Sequence, residues 1–226
     1  MDKKIKINQY IDHTALKADL TLHEVATLCE QARVYQFYAV CVPGCFVKYA
    51  KKFLQGTNIK IAAVVAFPLG NSSTSSKIFE TKEVIKDGAD EIDVVVNISW
   101  IKSNHYELVE QELYELRKFS QGKVIKLILE TCLLTDDEIF EVSKLAAKLH
   151  YDFVKTSTGF SKHGATFEAV EVMKKAIAGS FTKIKASGGI RDYPLAKAYI
   201  SKGVSRIGTS SGVKIMIEES QNLITN

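Results

Sequence analysis

TKIKASGGIRDYPLAKAYISKG, residues 182–203, contains one complete repeat of the pattern that decides the fold. Residues 182–188 form a short apolar run in which Lys185 is embedded, and the glycines at its end predict a loop. Residues 192–203 have helical periodicity and end at Gly203. A strand, a loop and a helix in this order make up the unit from which parallel sheets are built.

The same unit recurs along the whole chain. Residues 21–36 and 135–149 each begin with a Thr three residues before a Glu, which predicts a capping box at the start of a helix. Further helices are predicted over residues 76–88, 105–119 and 166–178. The strand candidates follow one another at about 28 residues per unit, a normal βα spacing. They cover residues 10–14, 38–42, 60–67, 91–96, 124–130, 152–158, 182–188 and 205–210.

Two α/β folds agree with this pattern, an open doubly wound sheet and a closed (β/α)8 barrel. Eight units use the whole length of 226 residues, and no Pro-, Gly- or Ser-rich linker divides the chain. We therefore predict a single (β/α)8 TIM barrel over residues 1–226. A short helix is also expected at GVKIM, residues 212–216, after the last strand.

The composition argues against several classes of protein. Hydrophobic residues make up 46% and charged residues 25% of the chain, as in a soluble globular protein. The net charge of +4 is small and its lysines are dispersed, so we expect no nucleic-acid partner. The N-terminus lacks the apolar core of a signal peptide, and no apolar run reaches the ~20 residues of a membrane span. With four cysteines and no CxxC pair, we expect reduced thiols and a cytoplasmic location.

Three lysines interrupt apolar strand runs: Lys126, Lys155 and Lys185. For any one of them, a snorkelling side chain at a strand edge is an equally good interpretation. Lys155 and Lys185, however, lie one βα unit apart, which places their ammonium groups on neighbouring strands within about 6 Å. Repulsion of about 2.8 kcal/mol at that distance predicts that the pKa of one of them is lowered by roughly two units. Such a lysine is the nucleophile that forms a Schiff base with a carbonyl.

A carboxylate suited to proton transfer is expected beside these lysines. Asp93 stands inside the run 91–96, away from a turn, and would open into the same end of the barrel. The plainer interpretation is a salt bridge to one of the lysines, and the two roles are compatible. Asp90 and Glu91, at the start of the run, are predicted to be solvated or structural.

Two loops containing glycine and serine follow the last two predicted strands. Residues 187–189 (SGG) and 208–211 (GTSS) occupy the positions at which this fold usually binds phosphate. Backbone N–H groups in such loops and at the start of a helix can bind an anion, although either loop alone would be an ordinary turn. The chain has no Walker A or GxGxxG motif and its histidines are scattered, so neither a nucleotide cofactor nor a zinc site is expected.

Six segments of the chain together resemble the deoxyribose-phosphate aldolase family, which are class I aldolases. They occur in the family's order over nearly the whole length: AFPLGN (66–71), GADEIDVVVN (88–97), LILETCLLTDDE (127–138), FVKTSTGF (153–160), KASGGIRD (185–192) and RIGTSSG (206–212). The resemblance implies a (β/α)8 barrel that reversibly cleaves 2-deoxy-D-ribose 5-phosphate to D-glyceraldehyde 3-phosphate and acetaldehyde, without a metal or other cofactor. It also implies a dimer or tetramer.

The resemblance further implies residue roles. Lys155 matches the family's Schiff-base lysine, Lys185 matches the second lysine that lowers the pKa of the first, and Asp93 matches the aspartate that transfers protons with Lys185. The implied substrate-binding residues are supporting polar groups, a cysteine next to the site and the phosphate-binding segments. They are Asp12, Lys126, Cys41, Thr158, Gly188, Gly189, Gly208, Ser210 and Ser211.

The chain departs from the family's pattern in two places. Residues 161–166 read SKHGAT where a smaller, Gly-rich stretch is common, so Lys162 and His163 are expected to add charge near the phosphate. The chain ends in LITN and lacks the C-terminal tyrosine of some longer members. Two alternatives stay open: a Schiff-base aldolase that cleaves a ketose phosphate, and a barrel that only senses a sugar phosphate. The second should lack a lysine or the aspartate, and all three are present.

Overall fold

The computed structural model describes residues 6–224, with side chains up to residue 222. Residues 1–5, where no signal peptide is predicted, and the side chains of the LITN tail lie outside the described residues. Within the described chain, the strands are β1 Ile11–Thr14, β2 Ala39–Pro43, β3 Lys60–Val65, β4 Glu91–Val95, β5 Val124–Ile128, β6 Phe153–Lys155, β7 Lys183–Ser187 and β8 Arg206–Thr209. The helices are α1 Leu22–Tyr35, α2 Val47–Phe53, α3 Thr74–Lys86, α4 Ile98–Lys102, α5 Tyr106–Phe119, α6 Asp136–Lys148, α7 Phe167–Ala176, α8 Tyr193–Ser201 and α9 Gly212–Ile224.

The eight strands form a closed parallel barrel. Each strand pairs with its neighbours in the sequence, and β8 pairs with β1. The predicted (β/α)8 TIM barrel is therefore confirmed, and the doubly wound alternative is excluded because an open sheet would leave two edges unpaired. Several strands end earlier than their apolar runs: β6 stops at Lys155, so residues 156–158 already belong to the loop at the rim of the barrel.

Side chains alternate between the two faces of the barrel wall. Val94 and Ile184 belong to the main hydrophobic core, which packs the strands against the surrounding helices. Their neighbours Asp93 and Lys185 contact each other inside the barrel. The helix-facing side chains thus supply the apolar pattern visible in the sequence, and the interior side chains of β1, β4, β5, β6, β7 and β8 include the buried charged residues.

The predicted capping boxes are present at the starts of α1 and α6. At α1, for example, the Thr21 N–H donates to the Glu24 carboxylate at 2.8 Å, which satisfies a backbone group that the helix leaves free. The sequence analysis missed α2 and α4, because helices of seven and five residues are too short to show a periodic pattern. The last helix, α9, extends from Gly212 to Ile224 and is longer than the predicted segment 212–216.

Candidate active site

Three lysines converge on one carboxylate inside the barrel. Lys126 donates a hydrogen bond to Oδ1 of Asp93 at 2.6 Å, whereas Lys155 and Lys185 both donate to Oδ2, at 2.9 and 2.8 Å. The strand register pairs Lys155 with Lys185, and their shared oxygen keeps the two ammonium nitrogens within about 6 Å of each other. This confirms the proximity predicted from their spacing of one βα unit.

Asp93 is also part of a closed circuit of alternating charges. Lys185 donates to Oδ2 of Asp12, and Nε of Arg206 donates to the other oxygen of Asp12 at 2.9 Å. The guanidinium also binds Oε2 of Glu91, which lies 2.6 Å from the Lys126 Nζ that contacts Asp93. Lys155 joins this circuit from outside, through Asp93. We call its six buried members the ion-pair ring: Arg206, Asp12, Lys185, Asp93, Lys126 and Glu91.

The ring holds its members in their charged forms. Burial raises the pKa of Asp93, but the charges of Lys126, Lys155 and Lys185 outweigh burial and hold this pKa well below its usual range. Burial lowers the pKa of Lys185, and the charges of Asp12 and Asp93 outweigh it, so this pKa is raised. The lowered pKa predicted for one lysine of the pair is therefore not that of Lys185, because Asp12 provides Lys185 with a second carboxylate. For Lys155 it stays a prediction.

The two acidic residues at the start of β4 are structural. Glu91 is buried and pairs with Lys126 and Arg206. Asp90 is half-buried, and its Oδ2 accepts the N–H of Ile61 at 3.0 Å. The structural interpretation is confirmed for both residues, and the solvated one is wrong for Glu91.

A pocket of about 440 Å³ opens at the C-terminal ends of the strands. Of the three lysines around Asp93, Lys155 lines this pocket, whereas Lys126 and Lys185 do not. Among the residues implied to bind substrate, those that line the pocket are Thr158, Gly188, Gly189, Gly208 and Ser210. Those outside its lining are Asp12, Cys41, Lys126 and Ser211. Asp12 and Lys126 lie below the pocket, in the ion-pair ring.

The glycines after β7 meet the segment SKHGAT at very close range. Gly188 and Gly189 have φ values of +84° and +82°, in the left-handed region that favours glycine. A Cβ atom on Gly188 would lie 2.7 Å from Cα of Gly164, and the N–H of Ala165 donates to the Gly188 carbonyl at 3.1 Å. The sequence analysis did not identify Gly164 as part of the site. The lone glycine in SKHGAT is the signal that could have found it.

Lys162 and His163, which are expected to add charge near the phosphate, belong to the same loop as Gly164. Both are exposed, and neither lines the pocket. Arg191 and Phe160 line it instead, the first from the loop after β7 and the second from the loop after β6. Arg191, two residues after Gly189, is therefore a positive charge in the pocket wall beside the glycine loop that follows β7.

A buried carboxyl anchors the loop that carries Thr158. Glu130 follows β5 in the left-handed conformation, with φ of +56°, which is uncommon for a residue other than glycine. It accepts hydrogen bonds from the N–H of Thr158, at 3.2 Å, and from the Thr158 hydroxyl. The same hydroxyl oxygen accepts the N–H of Phe160 at 3.1 Å. Burial raises the pKa of Glu130. Glu130 thus fixes the orientation of Thr158 in the pocket wall.

The side of the interior next to β2 and β3 is apolar. Cys41, Ala62 and Val64 form a small cluster apart from the main core, and Leu16 and Phe67 pack against it. Burial raises the pKa of the Cys41 thiol, which keeps the thiol neutral. The ring residues come from β1, β4, β5, β7 and β8, so charged and apolar groups occupy different sides of the barrel interior.

Metal-ligand clusters and membrane-spanning helices were both sought among residues 6–224. No three His, Cys, Asp or Glu side chains of this range are grouped in a way that could hold a metal ion. No helix of the same range is both long and apolar enough to cross a membrane.

Comparison with known proteins agrees with the fold. A sequence model of the family described as "DeoC/LacD family aldolase" matches residues 6–216. A deoxyribose-phosphate aldolase of Coprothermobacter proteolyticus is 47% identical over 95% of this chain and 97% of its own length. The corresponding protein of Streptococcus pneumoniae is 48% identical over 94% and 96%. The deoxyribose phosphate aldolase structure from Aeropyrum pernix, described as tetrameric, has a TM-score of 0.87 and 30% identity over 96% of this chain and 92% of its own.

The family model and these relatives, which agree with the barrel fold, define the protein as an aldolase, an enzyme that makes or breaks a carbon–carbon bond. More specifically, the chain belongs to the DeoC/LacD family of aldolases.

Proposed function

We propose that the protein is a class I aldolase that reversibly cleaves 2-deoxy-D-ribose 5-phosphate to D-glyceraldehyde 3-phosphate and acetaldehyde, through a Schiff base on Lys155. One observation carries the proposal. Lys155 contacts Asp93 and also lines the pocket, so it is the amine that a bound aldehyde would meet. The substrate follows from the relatives, since proteins 47% and 48% identical to this chain are named deoxyribose-phosphate aldolase.

Of the three lysines around Asp93, Lys155 makes the fewest ion pairs in the described structure. The ion-pair ring holds three cations and three carboxylates, so among these described side chains charge is balanced without Lys155. Lys155 adds a fourth amino-acid cation beside the three carboxylates of the ring, at a buried position where Coulomb interactions are stronger than in water. Deprotonation of Lys126 or Lys185 would disrupt two ion pairs each, whereas deprotonation of Lys155 disrupts one.

In the cleavage direction, the neutral amine of Lys155 attacks the C1 aldehyde of the open-chain sugar, and loss of water gives an iminium. Removal of the C3 hydroxyl proton then breaks the C2–C3 bond, whose electron pair moves to the iminium. D-Glyceraldehyde 3-phosphate leaves, and an enamine remains on Lys155. Protonation of the enamine at C2 and hydrolysis release acetaldehyde and restore the amine. Asp93 and Lys185 are the groups next to Lys155 that move these protons, through water.

The glycine loops support binding of the phosphate end. Gly188, Gly189 and Gly208 line the same pocket as Lys155, in the loops that follow β7 and at the end of β8. Because Gly188 and Gly189 have no side chains, an anion could approach the backbone N–H groups of their loop. Ser210 adds a hydroxyl two residues before α9, whose N-terminal end carries a partial positive charge. The substrate would then extend from Lys155 at C1 to these loops at the phosphate.

The proposal is tested by borohydride trapping. Incubation with 2-deoxy-D-ribose 5-phosphate and sodium borohydride is expected to add one adduct to the peptide that contains Lys155, measured by mass spectrometry. Lys155→Ala is expected to lose this adduct and the release of D-glyceraldehyde 3-phosphate. Lys183→Ala, at an exposed lysine of the neighbouring strand, is expected to retain both. An intact mass without an adduct, or an adduct unchanged in Lys155→Ala, would contradict the proposal.

The same assay separates the alternatives. Faster cleavage of fructose 1,6-bisphosphate than of deoxyribose 5-phosphate would identify a ketose phosphate aldolase. Binding of deoxyribose 5-phosphate without an adduct or turnover would identify a sensor.

The cellular role and the assembly are part of the same proposal. We expect a cytoplasmic enzyme of deoxyribose phosphate catabolism that acts on a small sugar phosphate and is a dimer or tetramer. The tetramer described for the Aeropyrum pernix relative supports an oligomer. Light scattering at the assay concentration tests it, and a monomeric mass would contradict it.

A further inference from the structure

Arg206 is a buried charged residue that has no part in the chemistry proposed above. It lies at the start of β8, is 3% exposed and does not line the pocket. Its guanidinium lies 3.4 Å from the ring centroid of Tyr38 and binds Asp12 and Glu91 through two different nitrogens. A planar guanidinium held by two carboxylates and an aromatic face has one well-defined position. This fixed position suits a residue that places a positive charge at one defined point of the barrel interior.

Arg206 closes the ion-pair ring. Without it, Asp12 would still pair with Lys185, and Glu91 would still pair with Lys126, but the ring would hold two cations and three carboxylates. The cation that could restore the balance is protonated Lys155, which is bound to the ring through Asp93. Arg206 and the proton on Lys155 are therefore alternatives: when one charge is present, the other is in excess.

We propose that Arg206 is a positioning residue that keeps Lys155 neutral by supplying the third cation of the ion-pair ring. The inference rests on the proposed role of Lys155 as the nucleophile. Glu91 has the opposite effect and favours protonated Lys155, because its carboxylate is one of the three anions of the ring. Both residues act on Lys155 through other side chains and neither touches the pocket.

The other groups around Arg206 and around Lys155 do not change the direction in which each variant shifts the protonation of Lys155. Arg206 is faced by carboxylates, by two aromatic rings and by a lysine on the paired strand: Asp12, Glu91, Tyr38, Phe153 and Lys185. Lys155 is faced by Asp93, Lys185, Cys41 and Glu130. Apart from the residue that is replaced, these groups are the same in variants of Arg206 and of Glu91. A difference between two such variants therefore reports the charge that was changed.

The test measures the pH midpoint at which Lys155 becomes reactive, and it needs no substrate. Trace acetic anhydride is added to the folded protein from about pH 5 to pH 10, and acetylation of the Lys155 peptide is measured relative to exposed Lys52. Arg206→Met is expected to raise the midpoint by about one pH unit, because loss of a positive charge favours the protonated amine. Glu91→Gln is expected to lower it by about as much, and the double variant to restore it.

Arg206→Lys is the matched control, since it keeps the positive charge and is expected to keep the midpoint. Shifts of opposite sign in Arg206→Met and Glu91→Gln support the proposal. Shifts of the same sign, or no shift, overturn it, because a purely structural role would disturb the site similarly in both. If circular dichroism shows that Arg206→Met does not fold, Glu91→Gln decides: a lowered midpoint supports the proposal and an unchanged one overturns it. Failure of the proposed function is seen separately, as absence of the borohydride adduct in the wild-type protein.

Discussion

Oδ2 of Asp93 accepts hydrogen bonds from two ammonium groups at once, at 2.9 Å from Lys155 and at 2.8 Å from Lys185. The pair is asymmetric, because Lys185 has Asp12 as a second carboxylate partner, whereas Asp93 is the one carboxylate in ion-pair contact with Lys155 among the described residues. Lys185 therefore remains a cation. The asymmetry makes Lys155 the lysine that can lose its proton with the least disturbance of the ion pairs.

Replacement of Asp93 by Asn should impair both catalysis and folding. An amide cannot neutralise the three lysines or exchange protons as a carboxylate does, so kcat is expected to fall by about 10²–10⁴-fold. Loss of a buried anion among cations is expected to lower the free energy of unfolding by about 3–5 kcal/mol. Steady-state kinetics and urea unfolding measure the two effects. Asp137→Asn, at an exposed position in α6, is the control, and an equal loss in both variants would contradict the assignment.

Stability should decrease in acid because of Asp12 and Asp93. Burial raises the pKa of each, but the neighbouring cations outweigh it, so both pKa values lie below the ordinary value of 3.8. As the pH falls, the unfolded state therefore takes up protons first. The stabilisation is present above about pH 5 and is lost progressively as the pH falls through 4 toward the folded-state values. Urea unfolding at a series of pH values should show this slope, and Asp93→Asn should flatten it. A slope as steep as in the wild type would argue against Asp93 as a source.

Gly188 and Gly189 should differ in their tolerance of a side chain. Gly188→Ala combines a positive φ with a Cβ atom 2.7 Å from Gly164, and is expected to lower the free energy of unfolding by about 3–5 kcal/mol. Gly189→Ala has the strain of a positive φ alone, since no described atom lies within 4 Å of its Cβ, and should cost about 1–2 kcal/mol.

Gly179→Ala is the control for both. Its φ is +79°, its Cβ also has no described atom within 4 Å, and it lies outside the pocket. It should match Gly189→Ala in stability but leave KM for the sugar phosphate unchanged, whereas Gly189→Ala should raise KM. Equal KM values in the two variants would count against a phosphate site at Gly189.

Glu130→Ala should lose more stability and more substrate affinity than Glu130→Gln. Alanine leaves the N–H and hydroxyl of Thr158 without their acceptor, at a cost of about 1–3 kcal/mol per buried group, and is expected to raise KM several-fold. Glutamine keeps an acceptor oxygen. Because burial raises the pKa of Glu130 and so disfavours its charged form, the neutral amide should keep stability at pH 7 within about 1 kcal/mol of the wild type. Urea unfolding and kinetics, with exposed Glu30→Gln as control, measure the difference. Similar losses in both Glu130 variants would contradict this role.

The parts of the site that depend on the repeated βα unit could be predicted from the sequence. Parallel strands one unit apart carry equivalent residues side by side, so the spacing between Lys155 and Lys185 translated directly into proximity. The capping boxes at Thr21 and Thr135 were predictable because they depend on residues close together in the chain.

Asp93 was predicted as a salt-bridge partner of a lysine, but the other partners of the lysines were not predictable from the sequence. Glu91 and Arg206 stand at the starts of strands, where a charged residue is usually solvated, and only closure of the barrel brings them into contact. Asp12 and Lys185 are 173 residues apart in the sequence. The contact of Gly164 with Gly188 depends on a loop conformation that a single sequence does not reveal.

The apolar cluster formed by Cys41, Ala62 and Val64 lies on β2 and β3, which carry none of the residues of the ion-pair ring. Exchange of one apolar side chain for another there changes the volume beside the pocket and leaves the ion-pair ring intact. A single change in the ring, by contrast, leaves an opposite charge without its partner. Apolar changes on β2 and β3 can therefore accumulate one residue at a time, whereas the charged strands have to change in complementary pairs.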